Sequence, residues 1–134
     1  MNKQKNEIGL TDNIIIVSNR LPVTVSKTRG GLRVKSSTGG LATGMKSVFE
    51  ETEGTWVGWP GIDLGSLDRK QKKEVLKQLQ DERYVSLSLS KEELNAYYYG
   101  FSNKTIWPLF HYFPQYTAYN QHYWEVYRKV NQKF

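Results

Sequence analysis

The 134-residue chain has no cysteine, which excludes disulfides and thiolate metal sites and suits a cytoplasmic protein. It has two histidines, His111 and His122, and they are not at metal-ligand spacing. No Ser/His/Asp set, Walker loop or zinc pattern occurs, so neither a metal nor another cofactor is expected. No apolar run is long enough to span a bilayer, and Met1-Asn2-Lys3-Gln4-Lys5 does not read as a signal peptide. A membrane partner is therefore not expected. There is no internal repeat, low-complexity segment or interdomain linker, and the length suits one domain with a real core.

What is present points to a globular protein with anionic partners. Charged residues make up 24% and hydrophobic residues 38%, and the net charge is +6. Phosphorylated metabolites, nucleotides and nucleic acid all fit that charge. Aromatic residues are 13% of the chain, and Trp and Tyr are concentrated from Trp56 onward, which suits stacking against a sugar or base as well as a core.

Residues 1–12 read as a flexible polar tail. Ile14-Ile15-Ile16-Val17 is apolar on both faces, as a central parallel strand covered on both sides would be. Its C-terminal end carries Ser18-Asn19-Arg20 to the edge where open α/β sheets bind ligands. Val23-Thr24-Val25 and Leu32-Arg33-Val34-Lys35 alternate around turn residues and predict a β-hairpin. Ser36-Ser37-Thr38 offers hydroxyl caps for a helix over residues 40–51, opened by Gly39-Gly40. Such a glycine pair allows close backbone approach and leaves free N–H groups for an anion. Taken alone, the pair is more often an ordinary loop-to-helix junction and Arg20 a surface side chain.

Trp56-Val57 predicts a second parallel strand, stopped by Pro60-Gly61. Residues three apart on a strand face opposite sides, so Trp56 is expected inside and Trp59 in the cleft. Asp68 opens a lysine-rich helix whose exposed face carries Lys70, Lys72, Lys73 and Lys77. A nucleic-acid patch is the alternative reading there, diluted by Glu74, Asp81 and Glu82. Residues 84–90 alternate strictly and predict a third main strand. Ser90 and Glu93 form a capping box; Glu92-Glu93 is helix-start charge, not a catalytic pair. Two short helices are expected next, the second recapped at Ser102-Asn103-Lys104. A last helix over residues 117–132 should turn Tyr119, Tyr123, Val126 or Tyr127, and Val130 inward.

In order, Ile15-Ile16-Val17-Ser18-Asn19-Arg20-Leu21-Pro22, Gly39-Gly40-Leu41, Trp56-Val57-Gly58-Trp59-Pro60-Gly61, Tyr97-Tyr98-Tyr99-Gly100-Phe101-Ser102-Asn103 and Ile106-Trp107-Pro108-Leu109-Phe110-His111-Tyr112 resemble the N-terminal part of the trehalose-6-phosphate synthase family. Trp124, Tyr127, Val130-Asn131 and Phe134 extend the match. The resemblance implies an α/β fold: an incomplete Rossmann-like N-terminal domain of a GT-B glycosyltransferase, with a parallel sheet, a β-hairpin insertion and helices packed on the sheet. Residues 13–134 would be the first part of that acceptor-side domain. It implies a metal-independent retaining enzyme moving glucose from UDP-glucose to glucose-6-phosphate. Arg20 would grip the acceptor phosphate, Trp59, Tyr98 and Trp107 would line the acceptor pocket, and Gly40 would meet the donor. A full family member is much longer, so the chain is expected to be a piece, with no catalytic residue of its own and inactive alone. A stand-alone phosphosugar-binding or regulatory module and a basic nucleic-acid-binding domain are the alternatives. Uncovered edges of such a piece are expected to promote self-association.

Overall fold

The computed structural model describes residues 13–134, so the expected tail lies outside the described residues. Three strands form a parallel sheet in the order β1 (Ile15–Arg20), β4 (Thr55–Trp59), β5 (Tyr84–Ser86). The expected hairpin is present as β2 (Val23–Thr28) and β3 (Gly31–Ser36), paired antiparallel in a separate sheet. Helix α1 (Gly40–Glu50) follows the hairpin, and α2 (Arg69–Asp81) links β4 to β5. Asp68 and Gln71 close a reciprocal capping box at the start of α2, which satisfies two otherwise free backbone donors.

Successive strand residues face opposite sides, and this sorts the core. Ile16 and Trp56 point to one face, where they pack with Leu21, with Val25 of the hairpin, Phe49 of α1, and Val75 and Leu79 of α2. Trp59 belongs to a second cluster with Leu89, Tyr97 and Val130. The covered-on-both-sides reading of β1 needs correction. Ile15 is 72% exposed and Val17 56%, and β4, not β1, is central among the described strands. Val17, Val57 and Val85 are in register across the three strands. The described helices leave Val17 and Val85 of that row open.

Four boundaries also differ. β5 stops at Ser86; Leu87 still donates its N–H to the Gly58 carbonyl, but Leu89 turns into the second cluster. The hydroxyls of residues 36–38 do not cap α1; its N-cap is Gly39, with no side-chain bond. The two expected short helices are one run: α3 (Lys91–Leu94), a π-helix (Asn95–Ile106) and α4 (Trp107–Phe110). Pro108 follows the π-helix directly, as the second residue of α4. Proline has no N–H for the Lys104 carbonyl, and that carbonyl accepts from Ala118 N at 2.7 Å instead. Finally, α5 is Gln121–Asn131, capped by the Asn120 side chain, and Tyr119 lies outside it and exposed.

Candidate functional site

The site grows from the end of β1. Its pairing with β4 slips between Val17 and Arg20, a bulge that re-aims the side chains there. Each of three successive residues is then tied to a different element. Ser18 Oγ accepts from Trp56 Nε1 at 2.8 Å and donates to the Arg20 carbonyl at 2.5 Å. Asn19 Oδ1 accepts a hydrogen bond from the Tyr97 hydroxyl of the π-helix. Arg20 Nη2 donates to Thr24 Oγ1 at 3.2 Å, and its guanidinium lies 5.4 Å from the centre of the Trp59 ring. Among the described residues no carboxylate pairs with Arg20, so its charge is available to an anion.

The wall is tightly backed by two glycines. A Cβ at Gly58 would sit 2.9 Å from Ser18 O, Arg20 C and Leu21 N. Gly61, at φ +87°, leaves room for Thr24, whose Cγ2 would be 2.7 Å from a Cβ there.

This wall borders a cleft of about 620 Å³ that also includes Gly39, Gly40, Tyr97, Tyr98 and Asn131. A second hollow of about 460 Å³ shares Asn19, Tyr97, Tyr98 and Asn131 and reaches Trp107 and His111. Each has the size of a small-molecule site. Trp107 is 54% exposed, and the His111 ring stacks on it at 3.5 Å with an interplanar angle of 3°. His111 Nδ1 lies 2.8 Å from the Trp107 carbonyl, which helps hold the pair.

Of the residues singled out in the sequence, Arg20, Gly40 and Tyr98 share the larger hollow, and Tyr98 and Trp107 share the smaller. Trp59 is placed differently from the expectation. It is 8% exposed, beneath the Arg20 guanidinium, and its Nε1 is buried without a partner among the described residues. Both tryptophans of β4 are buried because both faces of the sheet are covered at that level. Sequence reasoning passed over Asn19, Tyr97 and Asn131. Asn19 sat inside a quoted motif, but nothing in the chain order announces its bond to a residue 78 positions away. Burial, and then the neighbouring Tyr127 phenol, push the Tyr97 phenol up to about 12, so it stays a neutral donor near pH 7.

The family model described as glycosyltransferase family 20 matches residues 12–134. The chain belongs to glycosyltransferase family 20. It is 40% identical over 137 residues to the UDP-forming alpha,alpha-trehalose-phosphate synthase A of Dictyostelium discoideum, covering 99% of this chain and 18% of that relative. It is 38% identical to the 56 kDa subunit of the Saccharomyces cerevisiae enzyme, covering 91% of this chain and 25% of that subunit. Among solved structures, a UDP-forming synthase from Burkholderia xenovorans in complex with glucose-6-phosphate aligns at TM-score 0.61 and 31% identity, over 90% of this chain and 24% of that one. The Escherichia coli family member bound with UDP-2-fluoro glucose aligns at TM-score 0.56 and 25% identity, over 90% and 23%. The chain thus spans about a quarter or less of the length of these glycosyltransferases. The parallel α/β arrangement with its hairpin insertion agrees with that membership. No helix among the described residues is long and apolar enough to cross a membrane.

Proposed function

We propose that this chain is the acceptor-binding part of a UDP-forming trehalose-6-phosphate synthase, which transfers glucose from UDP-glucose to glucose-6-phosphate. The observation that carries the reading is Arg20, with no carboxylate partner among the described residues, lining a cleft that shares Tyr98 with the hollow beside Trp107. Arginine offers a planar fork to phosphate oxygens, tyrosine a hydroxyl, and tryptophan an apolar platform for a sugar. Gly40 at the start of α1 would meet the donor through its backbone. Trp59 would act from beneath Arg20, holding the guanidinium by its ring face.

The chain alone is proposed to be inactive. Charge developing on the departing UDP needs preorganised cations, and that kind of term is usually the largest in catalysis. UDP-glucose and glucose-6-phosphate incubated with the chain should give no trehalose-6-phosphate; UDP release that scales with chain concentration would overturn this. Binding of glucose-6-phosphate should survive, because Arg20, Tyr98 and Trp107 are all present. In an amide NMR titration, Arg20→Ala should weaken it about tenfold to a hundredfold. Arg20→Lys should retain part, and Lys72→Ala should change nothing. If Arg20→Ala binds as well as the unmodified chain, the acceptor site lies elsewhere. The nucleic-acid alternative has less support: the lysines of α2 lie on a separate helix and border neither hollow. The open row with Val17 and Val85 is proposed to make the isolated chain self-associate. A monomeric mass across a wide concentration range in ultracentrifugation would refute that.

A further inference from the structure

We propose that Asn19 is a ligand-contacting residue of the cleft, donating its side-chain amide N–H to an oxygen of the phosphorylated sugar, and that Tyr97 is the residue that positions it. The inference rests on the acceptor reading above and adds two residues to it.

A carboxamide has one accepting end and one donating end. The Tyr97 hydroxyl donates to Asn19 Oδ1, so the accepting end is occupied. Among the described residues none accepts from Asn19 Nδ2. The donating end is therefore the one left for the cleft. Asn19 borders both hollows, so it stands where they join. Its neighbour along the chain is the unpaired Arg20. Donor and cation together select a ligand rich in oxygen acceptors and negative charge, and they disfavour a cationic one.

Tyr97 is suited to hold this orientation. It is 3% exposed, and its ring stacks on Tyr127 at 5.4 Å with an interplanar angle of 24°. The Phe134 ring lies 6.5 Å away. Among the described residues Asn19 is the hydrogen-bond partner of this buried phenol. The bond satisfies that hydroxyl and at the same time sets which end of Asn19 faces outward. Asn19 itself is exposed, so the tether, not burial, defines its side chain.

The test is a titration of the chain with glucose-6-phosphate, followed by the side-chain amide cross-peaks of Asn19. Those peaks should move on binding while the amide peaks of Asn120, the cap of α5, stay still. Asn19→Asp keeps the shape and still accepts from Tyr97, but it replaces the donor with a negative oxygen. It should weaken binding about tenfold to a hundredfold, and more than Asn19→Ala. Tyr97→Phe should weaken it about threefold to tenfold, with Arg20 intact, and broaden or shift the Asn19 amide peaks before any ligand is added. Asn19 peaks that do not move at saturation would overturn the proposal, whether or not the variants fold. So would an Asn19→Asp variant that binds as well as the unmodified chain, because the amide would then present its oxygen. If binding is lost in Arg20→Ala but untouched in the Asn19 variants, the assignment of Asn19 alone fails. If the unmodified chain binds no glucose-6-phosphate, the acceptor reading fails and takes this inference with it.

Discussion

At the end of β1, Ser18, Asn19 and Arg20 are bound to β4, the π-helix and the hairpin in turn. At the start of α1, in the same cleft, Gly39 caps the helix with no side-chain bond, and a Cβ at Gly39 or Gly40 would meet nothing within 4 Å. Phe49, near the far end of α1, is its one buried residue among those described. Arg83 holds that end by donating to the carbonyls of Phe49, Thr52 and Gly54. One wall of the cleft is therefore set by packing, and the other is anchored only at its distant end. The glycines make the same point. Gly58 is glycine because the protein leaves no room for anything else, whereas nothing within the described residues requires glycine at positions 39 and 40.

The strongest way to break this contrast is to add a methyl group to each wall. Gly58→Ala drives a Cβ into backbone at 2.9 Å and should destabilise the chain by about 1–3 kcal/mol in urea unfolding. Gly40→Ala should leave stability unchanged or raise it by up to about 1 kcal/mol, since alanine is the better helix former. Equal losses in the two variants would erase the distinction. An effect of similar size is expected for Ser18→Ala, which strips the buried Trp56 Nε1 of its acceptor. A loss of about 1–3 kcal/mol is expected. Ser18→Thr, which keeps the hydroxyl, should recover part of it.

The smallest effect appears only in alkali. The Tyr97 phenol is pushed up to about 12 in the folded chain against an ordinary value of 10.0. Its contribution to stability is therefore complete below pH 10 and lost as pH rises through about 12, because the unfolded phenol ionises first. Burial, then Glu82 and Glu50, raise the Tyr84 phenol too, so both tyrosines weaken the fold in the same direction. Tyr97→Phe should flatten part of the alkaline decline in thermal stability; an unchanged slope would show that Tyr97 does not contribute.

Much of the loose wall and little of the tight one were legible in the chain order. Gly39-Gly40 before an amphipathic segment announces a helix start, and Asp68 announces another, because caps are local chemistry. Arg20 at the end of an apolar run was equally visible. The bonds Trp56–Ser18 and Tyr97–Asn19 were not, since they join residues 38 and 78 positions apart. The burial of Trp59 depends on Leu89 and Val130, which reach it through tertiary packing alone. The π-helix was hidden for another reason. Ser102-Asn103-Lys104 followed by Pro108 has the composition of a break, and only the Ala118 N–H on the Lys104 carbonyl shows how the helix continues.

Those long separations also set an order of events in time. The pairing of β2 with β3 around Arg29-Gly30 is local, a step that takes about 1–10 microseconds once both strands are made. Asn19 must wait for Tyr97, 78 residues later, which is roughly 4–16 s of translation at about 5–20 residues per second. Val130, which backs Trp59, emerges later still. Until Tyr97 is made, Asn19 lacks its tether, although the pairing of β1 with β4 needs only residues up to Trp59. The cleft is thus completed after the sheet that carries it, and any lesion that slows the π-helix lengthens the interval in which Asn19 stands untethered.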